Sequence, residues 1–205
     1  LIAFEGGIGD LLMFSPVLRD IKLAYPTINI TYVSDKKAVV AFARQLGLID
    51  DTILFKKKRL ISRCKALLKT RHIDMAWLLD HHLQLARILS WNKTPLIVGQ
   101  NHGREKFLTH ILSDEAWQRE SYLPYTYAMF WKDISGRDIT KAVDWWKPSY
   151  MSASDKEKDT IKKLLNGCNG HAYIVCSLTT SMSEKDWPRD NWLALFKQFP
   201  HKKFV

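Results

Sequence analysis

The chain has 205 residues, 46% hydrophobic and 25% charged, enough for one complete domain and part of another. Those proportions exclude disordered, collagenous and small disulfide-stapled proteins. Charge says more: 31 Lys and Arg against 21 Asp and Glu leave a formal +10, a surface that favours an anionic partner such as nucleic acid, an acidic membrane face or a phosphorylated small molecule.

Cysteine usage points to a reducing cytosol, because Cys64, Cys168 and Cys176 are odd in number and lack Cys-x-x-Cys spacing. No apolar run approaches the ~20 residues that span a bilayer, and nothing at the start reads as a secretory signal. The sequence opens at Leu1 inside a strand-like pattern and stops at Lys203-Phe204-Val205 as another begins, so both ends read as cut.

In chain order the pattern alternates strand and helix, which predicts an α/β fold with a parallel sheet. Leu1 to Glu5 is a short apolar strand, followed by a glycine-rich turn and a helix carrying Leu11, Leu12, Phe14, Val17, Leu18 and Ile21, closed by Tyr25-Pro26. Ile28 to Val33 is a second strand, Lys37 to Leu46 a helix and Thr52 to Phe55 a third strand. From Lys58 to Thr70, Leu60, Ile61, Cys64, Leu67 and Leu68 recur at helical spacing as an apolar stripe, with Arg59, Arg63, Lys65 and Lys69 on the other faces. Met75 to Leu79 reads as a buried strand, Leu83 to Ser90 as a helix, Leu96 to Val98 as a strand ending at Gly99, and Glu105 to Trp131 as mostly helical. The pattern breaks around Trp146 to Ser149, which places the domain boundary after residue 150. Residues 151–205 then supply a polar helix from Ser154 to Leu165, a strand from Ala172 to Ser177, a polar loop, a helix from about Asp190 to Phe199 and the final strand. One crossover cannot cover a sheet on both faces, so this second domain is expected to be incomplete.

Two segments carry candidate chemistry. Gly6-Gly7-Ile8-Gly9-Asp10 leaves a strand and opens a helix, a turn that lets a ligand approach the backbone near a helix N-terminus. It fits neither nucleotide fingerprint, since Leu12 stands where a third glycine belongs and no Gly-Lys-Ser/Thr follows. Asp10 reads either as the helix N-cap or as an exposed carboxylate at the carboxyl edge of the sheet, where α/β proteins bind ligands. Thr179-Thr180-Ser181 through Lys185-Asp186-Trp187-Pro188 again links a strand to a helix, with hydroxyls and a lysine suited to phosphate oxygens; the simpler reading is a solvated loop anchored by Trp187.

Together these segments resemble a family. Gly6 to Leu12 with Ser15-Pro16 and Tyr25-Pro26, Asp50-Asp51-Thr52-Ile53, Ile73-Asp74, Ile97-Val98-Gly99 with Arg104, and Lys185-Asp186-Trp187-Pro188 with Trp192 and Leu195 are similar in order and spacing to the heptosyltransferases of glycosyltransferase family 9, over nearly the whole chain. The resemblance implies a GT-B architecture, with a Rossmann-like acceptor domain over residues 1–150 and the start of a nucleotide-sugar domain over residues 151–205. It implies an inverting, metal-independent transfer of heptose, without a cofactor, from an ADP-heptose donor to the acidic inner core of lipopolysaccharide. Asp10 matches the base that would deprotonate the acceptor hydroxyl. Gly9, Thr179, Thr180 and Lys185 match donor-binding positions, the last three at the diphosphate, where they would stabilise charge developing on the leaving group. Later donor-domain segments of the family lie beyond Val205, so the 205-residue polypeptide is expected not to transfer sugar by itself.

Eight Lys or Arg and no acid lie between Lys56 and Arg71. That block reads either as the solvated side of an amphipathic helix or as a surface on which Arg59 and Arg63 bind the acceptor's phosphates and carboxylates, or hold the enzyme against anionic lipid at the cytoplasmic face of the inner membrane of a Gram-negative bacterium. Asp80-His81-His82 reads as a polar strand end rather than a metal site, because consecutive histidines on a strand face opposite ways. Trp117, Tyr122, Tyr125, Tyr127, Phe130 and Trp131 read as core. Two rivals stand beside the enzyme: a basic Rossmann-like nucleic-acid-binding module, disfavoured because the charge sits on one helix without interleaved aromatics, and a non-catalytic remnant.

Overall fold

The computed structural model describes residues 1–4, 6–56, 58–79, 82–113, 123–140, 153–165, 173–178 and 183–204. The chain divides into two compact units, Leu1–Met151 and Ser152–Val205, beside an expected boundary after residue 150.

The first unit runs β1 (Ile2–Ala3), α1 (Ile8–Ala24), β2 (Thr31–Ser34), α2 (Lys37–Gln45), β3 (Asp51–Leu54), α3 (Leu60–Lys69), β4 (Met75–Leu78), α4 (Leu83–Trp91), β5 (Leu96–Gln100), a single-turn helix (Glu105–Phe107), β6 (His110–Leu112) and α5 (Leu123–Ser135). All six strands are parallel, in the order β3-β2-β1-β4-β5-β6. The sheet is covered on both faces, as a parallel sheet must be. Strand residues alternate between the two cores. Ile2, Phe4, Tyr32 and Trp77 face α1, α2 and α5, whereas Ala3, Val33, Ala76 and Leu78 face α3 and α4.

Aromatic packing carries much of the first core. The Phe14 ring meets Trp77 and Tyr127 edge to face, each at 5.3 Å between centroids, and Trp131 stacks beside Trp77 at 6.3 Å. Tyr127, Phe130 and Trp131 are thus core, while Trp117 and Tyr122 lie outside the described residues. Within α1, Pro16 lacks the N–H that would reach Leu12 O, and the buried Ser15 hydroxyl donates to that carbonyl instead, at 2.7 Å. The Ser-Pro pair therefore satisfies the acceptor that proline leaves open.

Two expectations are corrected. The stretch from Glu105 is not helix alone: between the helical Glu105–Phe107 and the helix from Leu123, with residues 114–122 outside the described residues, His110–Leu112 adds a sixth strand beside β5, because the Thr109 backbone and hydroxyl both bond Ile97 and set the register. Nor does α3 bury its expected stripe. Ile61, Cys64 and Leu68 face outward, while Ala66 and Thr70 are buried and Leu67 is half-buried. Polar anchors fix this rotation. Ser62 Oγ accepts the Lys56 N–H at 2.7 Å and donates to Leu54 O at 3.3 Å, and Thr70 Oγ1 donates to Ala66 O while accepting from the Asn92 amide, both at 2.8 Å.

The second unit contains α6 (Asp155–Leu165), β7 (Tyr173–Ile174), a single-turn helix (Ser183–Lys185), α7 (Arg189–Gln198) and β8 (Lys203–Phe204). A capping box opens α6, with the Ser154 N–H and hydroxyl donating to Glu157 Oε2 and the Glu157 N–H returning to Ser154 Oγ. Strands β7 and β8 pair in parallel. None of this unit's described residues is buried.

Candidate functional site

The sheet order makes β1 the turning point. The chain passes from β1 outward through β2 to β3, then returns to place β4 on the other side of β1. In open α/β sheets this reversal opens a crevice outside the carboxyl ends of the strands, where ligands bind. Gly6, Gly7, Gly9 and Asp10 occupy the carboxyl end of β1 at that crevice.

The turn is built around the Asp10 carboxylate. Gly7 is the cap residue, extended at φ −82° and ψ −172°, so Asp10 is the third helical residue and not the N-cap. Its Oδ2 accepts the Gly7 N–H at 2.5 Å, and its negative charge sits in the first turn, where the helix dipole favours it. Gly6 is obligatory for this arrangement. A Cβ there would lie 2.6 Å from Asp10 Cβ, 2.9 Å from Asp10 Oδ2 and 2.9 Å from the Phe4 ring. Gly9 differs, since a Cβ on it would meet nothing within 4 Å. The fold therefore needs Gly6 but places no steric demand on Gly9. Asp10 is half-buried and Gly9 exposed, leaving the carboxylate held in place with an open approach beside it.

Helix α3 begins at the same edge of the sheet, because it follows the carboxyl end of β3. Arg59 is its cap residue and is exposed, and Arg63 is half-buried one turn on. They are neighbours at i and i+4, and follow β3, which stands two strands from β1 in the sheet. The structure thus brings Asp10, Arg59 and Arg63 to one edge.

Sequence reasoning gave Arg104 no role of its own. The residue is fully buried, its Nε donating to Gln100 O and its Nη2 to Leu78 O, both at 3.1 Å, so one guanidinium ties the carboxyl ends of β4 and β5 beside the crevice. Gly99 makes room for it: a Cβ there would sit 3.0 Å from Leu78 O and 3.1 Å from Arg104 Nη2. The signal was available in the spacing of Gly99 and Arg104, but burial of an arginine is not legible from sequence. His82 is fully buried as the residue capping α4; Asp80 and His81 lie outside the described residues. Among the described residues no group of three His, Cys, Asp or Glu side chains converges.

Asp50 and its neighbours serve the scaffold. Burial opposes ionisation of Asp50, but the Ile30 N–H and the Lys22 ammonium, each 2.6 Å from Oδ2, outweigh it and hold the carboxyl below its usual range. The pair pins α1 and the start of β2 to β3.

In the second unit Lys185 is exposed at the end of its single-turn helix. The described end of the loop is anchored at Trp187, whose ring meets Trp192 of α7 edge to face at 4.9 Å, and Trp192 continues into Phe196 and Phe204. Thr179 and Thr180 lie outside the described residues.

No protein-family model and no curated protein matches the chain by sequence. By structure it is similar to a glycosyl transferase family 9 protein from Veillonella parvula DSM 2008, with a TM-score of 0.69 and 17% identity over 100% of this chain and 60% of that one. It is similar to E. coli heptosyltransferase WaaC with ADP, at a TM-score of 0.67 and 16% identity over 99% of this chain and 64% of that one. E. coli ADP-heptose lps heptosyltransferase II gives 0.65 and 16%, over 99% of this chain and 61% of that one. The chain thus spans about three fifths of the length of these proteins. Identity this low establishes the fold: α/β of GT-B type, with a Rossmann-like parallel sheet in the first unit. No helix among the described residues is long and apolar enough to cross a membrane.

Proposed function

We propose that this chain is the acceptor half, with the first part of the donor half, of an inverting glycosyltransferase that moves heptose from ADP-heptose to the acidic inner core of lipopolysaccharide. The observation that carries the reading is the Asp10 carboxylate, fixed by the Gly7 N–H at the turning point of a six-stranded parallel sheet whose structural neighbours include heptosyltransferases. Asp10 takes the proton from the acceptor hydroxyl as that oxygen attacks the anomeric carbon. Gly9 leaves room for the donor, Arg59 and Arg63 hold acceptor phosphates or carboxylates, and Lys185 with Thr179 and Thr180 stabilises the departing diphosphate. The reaction requires no cofactor or metal in this reading.

The test is transfer from ADP-heptose to lipopolysaccharide-core acceptors by the product of the complete coding region, compared with Asp10→Asn. Asparagine keeps an oxygen for the Gly7 N–H but cannot take up the proton. Turnover is expected to fall ~10²–10⁴-fold with the melting temperature little changed; equal turnover by the variant would remove Asp10 from the chemistry. Charge reversal at Arg59 and Arg63 is expected to raise the acceptor KM by at least about tenfold while the donor KM holds. An unchanged acceptor KM would reassign both arginines to the solvated surface.

A further inference from the structure

Helices α3 and α4 cover one sheet face, and their outward side combines features that the fold does not require. Ile61, Cys64, Lys65 and Leu68 are spaced to share one face of α3, with Ile61 73% and Leu68 58% exposed. Helix α4 ends at Trp91, 71% exposed, immediately before Asn92, whose amide donates to Leu67 O and Thr70 Oγ1 of α3. Ile61, Leu68 and Trp91 are three of the four most exposed large apolar side chains among the described residues of the first unit. Exposed Lys58, Arg59, Lys65, Lys69, Arg71, Arg87 and Lys93 surround them, and neither helix contains an acid. Asp51 of β3 touches this face through Lys69 at 3.3 Å.

The occupant must satisfy both halves of the surface. Nucleic acid offers negative charge but no apolar layer for Ile61 and Leu68. A second copy of the chain would set one basic face against another. An acidic bilayer supplies phosphate headgroups over hydrocarbon, and an exposed tryptophan suits the boundary between them. We propose that the outward face of α3, with Trp91, docks the chain on an anionic lipid bilayer, its apolar side chains entering the interface and its Lys and Arg meeting the headgroups. The proposal deepens the reading of this unit as an acceptor half, since α3 starts at the sheet edge that holds Asp10; the docking itself needs no sugar transfer.

The test is flotation of the 205-residue chain with vesicles of phosphatidylcholine, with and without phosphatidylglycerol, and with no sugar acceptor present. Binding is expected only with phosphatidylglycerol, falling steeply with salt. Ile61→Ala/Leu68→Ala/Trp91→Ala should weaken it about 100-fold, and Lys58→Glu/Lys65→Glu at least about fivefold per charge, with circular dichroism and melting temperature retained. Any of four results overturns the proposal: no binding to phosphatidylglycerol vesicles, equal binding to phosphatidylcholine alone, full binding by the folded apolar variant, or preferential capture of duplex DNA or a second copy through the same residues. Failure of the transfer assay would leave these outcomes untouched.

Discussion

Gly6 and Gly9 stand three residues apart in one turn and answer to different demands. At Gly6 any Cβ collides with the Asp10 side chain and the Phe4 ring, so Gly6→Ala is expected to cost ~1–3 kcal/mol and to displace the carboxylate. At Gly9, inside α1 and facing open space, alanine is expected to stabilise the fold by ~0.5–1 kcal/mol through lower chain entropy. If Gly9 is where the donor passes, the same variant loses activity while gaining stability. Denaturation and transfer assays on the pair therefore separate a folding glycine from a binding one. Asp10, proposed for the chemistry, is also part of the fold, because its carboxylate holds the Gly7 N–H. The sequence alone left it between helix N-cap and exposed carboxylate; it is instead the third helical residue, half-buried, its side chain reaching back to the Gly7 N–H while staying beside the crevice.

At the scale of elements, helix α4 closes with Lys93 at φ +55°, in a double bond pattern of Lys93 N–H to Ser90 O and Thr94 N–H to Leu89 O. Glycine normally fills this left-handed position. Lys93→Gly is expected to raise stability by about 0.5–1 kcal/mol, read as a shift in the denaturation midpoint; a loss would mean that the lysine side chain holds something in place. The alternation of strands and helices was legible because buried parallel strands and amphipathic helices leave distinct apolar periods. Rotation of α3 was not. Its apolar residues outnumber the inward positions, and the choice among them falls to Ser62, Thr70 and Asn92 hydrogen bonds that no hydrophobic period encodes. Strand β6 was missed for a related reason: a three-residue strand has no period to read, and its place is set by Thr109 bonding to Ile97.

Across the first unit as a whole, Asp20 fastens α1 to α5 and the residues after it. Its Oδ2 accepts from Trp131 Nε1 and Arg137 Nε, and its Oδ1 from Arg137 Nη2, each at 2.8 Å. The Arg137 hydrogen bonds, with Trp131 and against the cost of burial, hold this carboxyl below its usual range. A depressed carboxylate pKa contributes stability that is fully present above the unfolded value and disappears as pH falls through the folded one. Asp20→Asn is accordingly expected to cost about 1 kcal/mol near neutrality, a modest figure because Arg137 is partly exposed. The difference from the parent should shrink in acid below the ordinary carboxylate range; a constant difference across that range would show that the charge is not the cause. Neither this clamp nor the outward face of α3 involves the Gly6 turn, so the demands on that turn are separate from both. That separation gives the glycine pair a historical meaning. If Gly9 admits the donor as proposed, then in a lineage that kept the folded domain but abandoned sugar transfer Gly9 would be free to drift while Gly6 stayed fixed, and the substitutions accumulated at these two positions would distinguish a working enzyme from its retired descendant.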